Sequence, residues 1–167
     1  MDFRRDILPL KDKLYRLALR ITLNPQEAED IVQDTMIKVW NRRDSMDEIQ
    51  SVEAFTMTIC RNISLDHIKM RENQNASLEG MTIERPDKAL SPLEQTLQND
   101  SIERIKNLMN GLPEKQRTCM QLRDFEGKAY KDIAEILSIT EEQVKINIFR
   151  ARKTVKEAFL KQDNFGV

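Results

Sequence analysis

The residues best suited to chemistry lie in one stretch, YKDIAEILSITEEQVKINIFRARK, at positions 130–153. The stretch is typical of two helices joined by a short turn. In the second helix apolar residues recur at steps of four, three and four and predict a buried stripe: Val144, Ile148, Ala151 and Val155. Six side chains are displaced from that stripe: Lys145, Ile146, Phe149, Arg150, Arg152 and Lys153. A helix fits the DNA major groove, where Lys and Arg meet phosphates or guanine edges, so nucleic-acid recognition is predicted.

The elements that would position these residues have the architecture of a helix-turn-helix. Ile133, Ala134 and Leu137 give the first helix an apolar face that can pack on the second. Thr140 is suited to cap the second helix, and the two Glu residues after it suit the positive end of the helix dipole. Two alternatives stay open on the pattern alone. Many such helix pairs bind no DNA, and Phe149 would equally suit a core.

A separate helical module precedes this pair. Its first helix carries apolar residues at helical spacing: Ile7, Leu10, Leu14, Leu17, Ala18 and Ile21. Asn24 is predicted to cap a second helix, with Pro25 at its first position and Glu27 where a capping-box acid would lie. That helix has an apolar stripe of Ala28, Ile31, Val32, Thr35, Met36, Val39 and Trp40. A third helix is predicted over residues 52–70, with Phe55 in its core.

The fold class predicted is all-α, with two small helical domains joined by a linker. The polar stretch at residues 72–95 contains Pro and Gly and has no sustained period. Ser91 and Pro92 form a good helix start within it. The predicted boundaries are 1–72 for the first domain, 73–91 for the linker and 92–163 for the second domain. Helices are expected at 92–109, 113–124, 129–137 and 141–161 in the second domain.

Composition limits the possible functions. The net charge of −1 means that nucleic-acid binding would depend on local patches and not on the whole surface. Cys60 and Cys119 are far apart in apolar patterns and predict buried reduced thiols, and His67 is the only histidine, so no metal site or cofactor is expected. No nucleophile–base set and no phosphate-binding Gly loop is present, which predicts a protein that is not an enzyme. The N-terminus lacks an apolar signal region, so a soluble cytoplasmic protein without membrane insertion is expected.

Three strings together resemble a known family. LPEKQRTCMQLRDFEGKAYKDIAEILSITEEQVKINIFRARK resembles region 4 of the extracytoplasmic-function (ECF) sigma factors of bacterial RNA polymerase. NPQEAEDIVQDTMIKVW and SVEAFTMTICRNISLDHIK resemble their region 2. The resemblance implies a transcription initiation factor that binds core RNA polymerase and promoter DNA. It also implies control by an anti-sigma factor and a monomer when free of partners.

The resemblance assigns roles to residues in both modules. In region 2 it implies that Asp30, Gln33 and Asp34 face polymerase, with an ordinary solvated helix face as the alternative. It implies that Trp40 is a core residue, and that the −10 DNA element is contacted by Arg61, Asn62, Asp66, Lys69 and Arg71. In region 4 it implies that the −35 element is contacted by Thr140, Gln143, Lys145, Ile146, Phe149, Arg150 and Lys153.

The sequence departs from the family pattern at the turn and at the start of the recognition helix. Ser138 replaces a common Gly, Glu141 and Glu142 replace a common small or Gly-containing pair, and Ile146 replaces a small polar residue. These departures bear on the −35 sequence and not on the fold. Two other functions stay open: a helix-turn-helix regulator that acts without replacing the housekeeping sigma factor, and a helical adaptor that touches no DNA.

Overall fold

Amphipathic helices form both modules of the chain, and the computed structural model describes residues 2–77 and 100–165. In the first module the helices are α1 (Phe3–Asp6), α2 (Lys11–Thr22), α3 (Pro25–Asn41) and α4 (Val52–Ser77). In the second they are α5 (Asp100–Met109), α6 (Glu114–Met120), α7 (Tyr130–Leu137) and α8 (Glu141–Phe165). Short 3₁₀ turns span Leu8–Leu10 and Arg43–Glu48, and a π-helical turn spans Gln121–Phe125. The predicted all-α fold is confirmed.

The first module is a bundle in which α2, α3 and α4 pack against one another. All six apolar residues predicted for its first helix are buried. Two of them precede α2, however, since Ile7 lies in the turn after α1 and Leu10 in the 3₁₀ turn. The Asn24 cap is confirmed, since its Oδ1 accepts hydrogen bonds from the backbone N–H groups of Gln26 at 3.0 Å and Glu27 at 3.1 Å. The Glu27 side chain does not complete a capping box with Asn24. It pairs instead with Arg71 of α4 and so ties two helices of the bundle together.

The third predicted helix is longer than expected. The sequence predicts an end near residue 70, but α4 continues to Ser77, through the first five residues assigned to the linker. The polar residues after Met70 do not end the helix because none of them up to Ser77 is Pro or Gly. The rest of the predicted linker, and the helix start at Ser91 and Pro92, lie outside the described residues. The domain boundaries therefore stay predictions.

In the second module α8 packs against α5, α6 and α7. The turn between α7 and α8 depends on Ser138, whose φ of 56° is left-handed. Its N–H reaches the carbonyl of Glu135 at 3.3 Å, which closes the C-terminus of α7 where Gly is more common. The departure at Ser138 thus leaves the turn intact.

The two modules also pack against each other, which the sequence did not predict. Helix α4 lies on α7, and α2 lies on α6. One continuous hydrophobic core includes Met57 and Cys60 from the first module and Cys119, Leu122 and Ile133 from the second. Among the described residues no strand is present, and no helix is long and apolar enough to cross a bilayer.

Candidate nucleic-acid and protein interfaces

Helix α8 presents a mixed apolar and basic face to solvent. All four residues of its predicted stripe are buried, which fixes the rotation of the helix. The opposite side exposes 46% of Ile146 and 68% of Phe149, so the core alternative for Phe149 is excluded. Arg150 and Lys153 are exposed on the same side. The face combines apolar surface with two cations that make no ion pair within the described chain.

The first turn of α8 is fixed by a capping box. The Thr140 hydroxyl accepts a hydrogen bond from the N–H of Gln143 at 3.1 Å, and the Gln143 side chain accepts one from the N–H of Thr140 at 3.0 Å. The predicted Thr140 cap is confirmed. Both side chains were also predicted to contact DNA, and here they are engaged in holding the helix end. Glu141 and Glu142 are exposed beside them.

One flank of α8 carries a cation–aromatic cluster that the sequence analysis missed. The Lys145 ammonium lies 5.6 Å from the centre of the Tyr130 ring, and the Arg123 guanidinium lies 4.3 Å from it. Arg123 also donates to the carbonyl of Lys128 at 2.9 Å. The ring therefore holds two cations beside the exposed face. No periodic pattern links Arg123 to Lys145, because they come from different elements.

Helix α3 presents a second exposed face. Asp30, Gln33 and Asp34 are all exposed, as predicted for a contact surface. The same side continues through Ile37, which is 58% exposed and which the sequence analysis overlooked, to Trp40. These residues follow one another at helical spacing, so the face is polar at its start and apolar at its end.

Trp40 was expected in the core, and the structure places it only partly there. Its ring meets Phe3 edge-on with centroids 5.1 Å apart, and the Arg43 guanidinium lies 4.0 Å above it. The side chain is nevertheless 47% exposed. Trp40 is about 100° further around the helix than the buried Val39, which puts it at the edge of the stripe.

The five residues assigned to the −10 element are not all open to solvent. Asn62, Asp66 and Lys69 are exposed, and their spacing puts them on one side of α4. Arg61 is only 6% exposed, and its Nη2 donates to Glu114 of the second module at 2.6 Å. Arg71 pairs with Glu27 and donates to the carbonyl of Thr22 at 3.0 Å. Three of the five residues therefore lie together on one exposed side of α4, whereas Arg61 and Arg71 are held in internal contacts.

Neither cysteine side chain reaches either exposed face. Both thiols are buried, as expected, and burial raises the pKa of Cys60 and of Cys119 to about 12. The thiolates that metal binding or nucleophilic attack requires are therefore not formed near neutral pH. No cluster of three or more potential metal ligands occurs among residues 2–77 and 100–165.

Comparisons with known proteins match both modules to one family. The family model described as Sigma-70 region 2 matches residues 7–74, and the one described as Sigma-70, region 4 matches residues 102–155. The RNA polymerase sigma-H factor of Pseudomonas aeruginosa is 29% identical over 92% of this chain and 84% of its own. The ECF RNA polymerase sigma factor SigW of Bacillus subtilis is 28% identical over 88% of this chain and 83% of its own.

Solved structures agree with this match. The sigma factor RpoE of Bartonella quintana, in complex with the anti-sigma factor NepR, has a TM-score of 0.76 and 27% identity. The match covers 93% of this chain and 95% of that one. CnrH, in complex with the cytosolic domain of CnrY, has a TM-score of 0.68 at 20% identity, covers 96% of this chain and 88% of that one, and supports the fold alone.

Proposed function

Because the chain belongs to the sigma-70 family, as a sigma factor of the ECF group, we propose that it binds core RNA polymerase and directs transcription from its own set of promoters. Sigma factors are transcription initiation factors, and the mechanism is recruitment and recognition with no catalytic step by this chain. The first module engages polymerase and the −10 element. The second module reads the −35 element. The protein acts in the cytoplasm, where its polymerase is.

The exposed face of α8 is the observation that carries the DNA-binding part of this proposal. Phe149 and Ile146 present apolar surface that suits thymine methyl groups, and Arg150 presents a planar guanidinium that suits phosphate or a guanine edge. Exposing a Phe side chain to water is unfavourable, so an exposed Phe149 next to Arg150 and Lys153 is better explained by a binding surface than by an ordinary solvated helix face. Lys145, whose ammonium lies 5.6 Å from the centre of the Tyr130 ring, is proposed to contact the DNA backbone at the flank. The capped first turn keeps the helix end rigid on approach.

The face of α3 is proposed as the polymerase contact. Asp30, Gln33 and Asp34 offer acceptors to basic and polar groups of a partner, and Ile37 and Trp40 extend that surface with an apolar anchor. Interfaces of this kind derive most of their affinity from a few buried aromatic or charged residues. This surface stays exposed while the two modules are packed against each other.

The −10 contact is proposed for α4. Asn62, Asp66 and Lys69 form its exposed part, and Arg61 and Arg71 would join them once their internal partners are released. Cations beside polar groups suit an unpaired strand, whose backbone and base edges are both accessible.

An anti-sigma factor is proposed as an inhibitor, supported by the similarity to a sigma factor solved with NepR. The free protein is proposed to be a monomer.

The test is transcription in vitro with purified core polymerase, with and without the protein, on genomic fragments from its source. New transcripts that share two upstream elements are expected, and their alignment would reveal both motifs. Binding to core polymerase without new transcripts would favour an adaptor. Binding to DNA without binding to core polymerase would favour a helix-turn-helix regulator and would overturn the proposal. A variant with Arg150→Ala separates DNA reading from polymerase binding, since only the first should be lost.

A further inference from the structure

We propose that the cleft between α2 and α5 binds a nucleoside phosphate, with Arg20 and Lys106 holding its phosphate groups. The cleft has a volume of about 630 Å³. Small-molecule sites in proteins occupy roughly 300–1,000 Å³, so this cleft is large enough for a nucleotide. Its lining residues are not those of the exposed faces of α3 and α8. The proposal therefore goes beyond the proposed function, and its test needs neither polymerase nor DNA.

The two walls of the cleft come from different modules and use the same helical spacing. The α2 side contributes positions 16, 19, 20 and 23, and the α5 side contributes positions 103, 106, 107 and 110. Steps of three, one and three place side chains on one face of a helix, so each helix turns one face toward the cleft. Gln121 and Phe125 of the π-helical turn line the space between these faces.

Arg20 is the anchor of the proposed site. Its side chain is only 8% exposed, and it donates to the side-chain oxygens of Gln121 at 2.9 Å and Asn110 at 2.6 Å and to the carbonyl of Lys106 at 3.4 Å. All three acceptors are neutral. The Nη2 of Arg20 has no acceptor among the described residues and is not sealed from solvent. A buried guanidinium with a free donor beside a cleft suits phosphate, which matches the planar fork of Arg.

The charges around Arg20 favour an anion in the cleft. Arg16 is already neutralised, because it donates to both carboxylate oxygens of Glu126, at 2.5 and 3.0 Å. Lys106 lies 3.8 Å from Glu103, and the charge of Glu103 also acts on Arg20. One carboxylate is thus shared by two cations. A bound phosphate would balance the positive charge that remains.

The other groups of the cleft suit the nucleoside part of the ligand. The side chains of Leu19 and Phe125 offer apolar surface to a base. The Asn107 amide is exposed, makes no hydrogen bond to the described residues, and can donate to or accept from a base edge. Glu103 suits the ribose hydroxyls, which acidic side chains accept from in other nucleotide sites. Inorganic phosphate would leave all of these groups unused.

Calorimetric titration of the free full-length protein with ADP, GDP and inorganic pyrophosphate tests the proposal. We expect at least one of the two nucleotides to bind about tenfold more tightly than pyrophosphate, which corresponds to about 1.4 kcal/mol. Lys106→Ala should weaken nucleotide binding by about tenfold, because hydrogen bonds to charged groups contribute that much or more. Lys156→Ala is the matched control, since this exposed Lys of α8 does not line the cleft.

Two further variants separate the phosphate from the nucleoside. Asn107→Ala should weaken nucleotide binding and leave pyrophosphate binding unchanged. Arg20→Lys keeps the charge but loses the fork, so it should weaken the binding of both, with circular dichroism to show that the helices are retained. Equal affinity of pyrophosphate and the two nucleotides would overturn the nucleoside assignment. Binding of none of the three would overturn the site.

Nitrogen-15 NMR of the same protein locates the bound nucleotide. The amide signals of Leu19 and Arg20 should shift together with those of Lys106 and Asn107. Shifts confined to the neighbourhood of Phe149 and Arg150 would show that the nucleotide binds the exposed face of α8, and would overturn the site in the cleft. Because these measurements omit polymerase and promoter, a failure here is distinct from a failure of the transcription assay.

Discussion

On the DNA-binding face proposed for α8, Arg150 and Phe149 are expected to contribute differently, the first to affinity and the second to sequence recognition. Arg150 is an exposed cation with several donors, so its contact adds affinity on any sequence if it meets phosphate. Phe149 has no charge and can only discriminate by shape and apolar contact. Both side chains project from a helix whose rotation is fixed by four buried residues, so a substitution at either should leave the fold intact.

The first prediction compares these two residues in polymerase holoenzyme bound to its promoter. Arg150→Ala should weaken binding and, if the contact is to phosphate, lower the slope of log affinity against log salt by about one. Phe149→Ala should leave that slope unchanged and cost about 1 kcal/mol at the base pairs it touches. Lys161→Ala and Leu160→Ala are matched controls, since both residues are exposed on the same helix about 16 Å further along. Equal losses from variants and controls would contradict the assignment of this face.

The second prediction concerns the apolar end of the α3 face. Trp40→Ala should weaken binding to core polymerase by about 2 kcal/mol, roughly thirtyfold, because a half-exposed Trp has the character of an interface anchor. Replacing Asp30, Gln33 and Asp34 together with Ala should also weaken it. Competition with a labelled sigma factor for core enzyme measures both effects. The control is Leu160→Ala, an apolar residue of similar exposure on the other module. Thermal unfolding must show that loss of the contact with Phe3 has not unfolded the module.

At the scale of elements, short local sequence signals determine where helices begin and where the chain turns between them. The Asn24 and Thr140 caps were predictable because each depends on neighbouring residues only. The four-residue stripe of α8 was predictable for the same reason. The length of α4 was not, because the good helix formers after Met70, such as Arg71, Glu72 and Gln74, carry no apolar period that would distinguish a continued helix from a polar linker.

The third prediction tests the turn between α7 and α8. Ser138 has a left-handed backbone, which costs a residue with a Cβ about 1–2 kcal/mol. Ser138→Gly removes that cost but gives the unfolded chain more freedom, which offsets about 0.4–1 kcal/mol. The net expectation is a gain of about 0.5–1 kcal/mol in the free energy of unfolding, measured by urea denaturation. Glu157→Gly, at an exposed position within α8, should lower it instead. A loss from both changes would argue against strain at Ser138.

At the scale of the whole molecule, the fold of each module follows from its sequence, but their mutual contact does not. From the sequence alone, Arg61 resembles an ordinary solvent-exposed basic side chain on a helix. Its partner Glu114 is 53 residues away in sequence and belongs to the other module. Arg20 falls among apolar residues of α2, and its partner Gln121 is 101 residues away. Periodicity carries information over a few turns, whereas these pairs depend on how two finished modules meet. The candidate DNA face on α8 was therefore predictable, and the packing of the second module against α4 was not.

A fall in pH should weaken the contact between the two modules through Glu53, which pairs with Lys128 of the second module. Burial alone would raise the pKa of its carboxyl group, but hydrogen bonds from Lys128 and Lys13 outweigh burial and lower the pKa below the ordinary value of 4.5. A lowered pKa means that the contact contributes fully above pH 4.5 and is lost as the pH falls through the lower value. If the two modules separate, Glu53 keeps its contact with Lys13 of its own module and loses Lys128 of the second module. Only the contact with Lys128 therefore links the protonation of Glu53 to the separation of the modules.

The fourth prediction follows from that linkage. Energy transfer between dyes on Lys38→Cys of α3 and Glu157→Cys of α8, two exposed positions, reports the distance between the modules. As far as Glu53 is concerned, this transfer should be constant from pH 8 to pH 6 and should fall below pH 4.5. Far-ultraviolet circular dichroism on the same samples separates opening from loss of helix. Glu53→Gln keeps the size of the side chain but cannot titrate, so it should reduce transfer at neutral pH and flatten the acid dependence. If this variant follows the same acid profile as the wild type, other carboxyl groups control the contact, because a group that cannot titrate cannot supply the linkage.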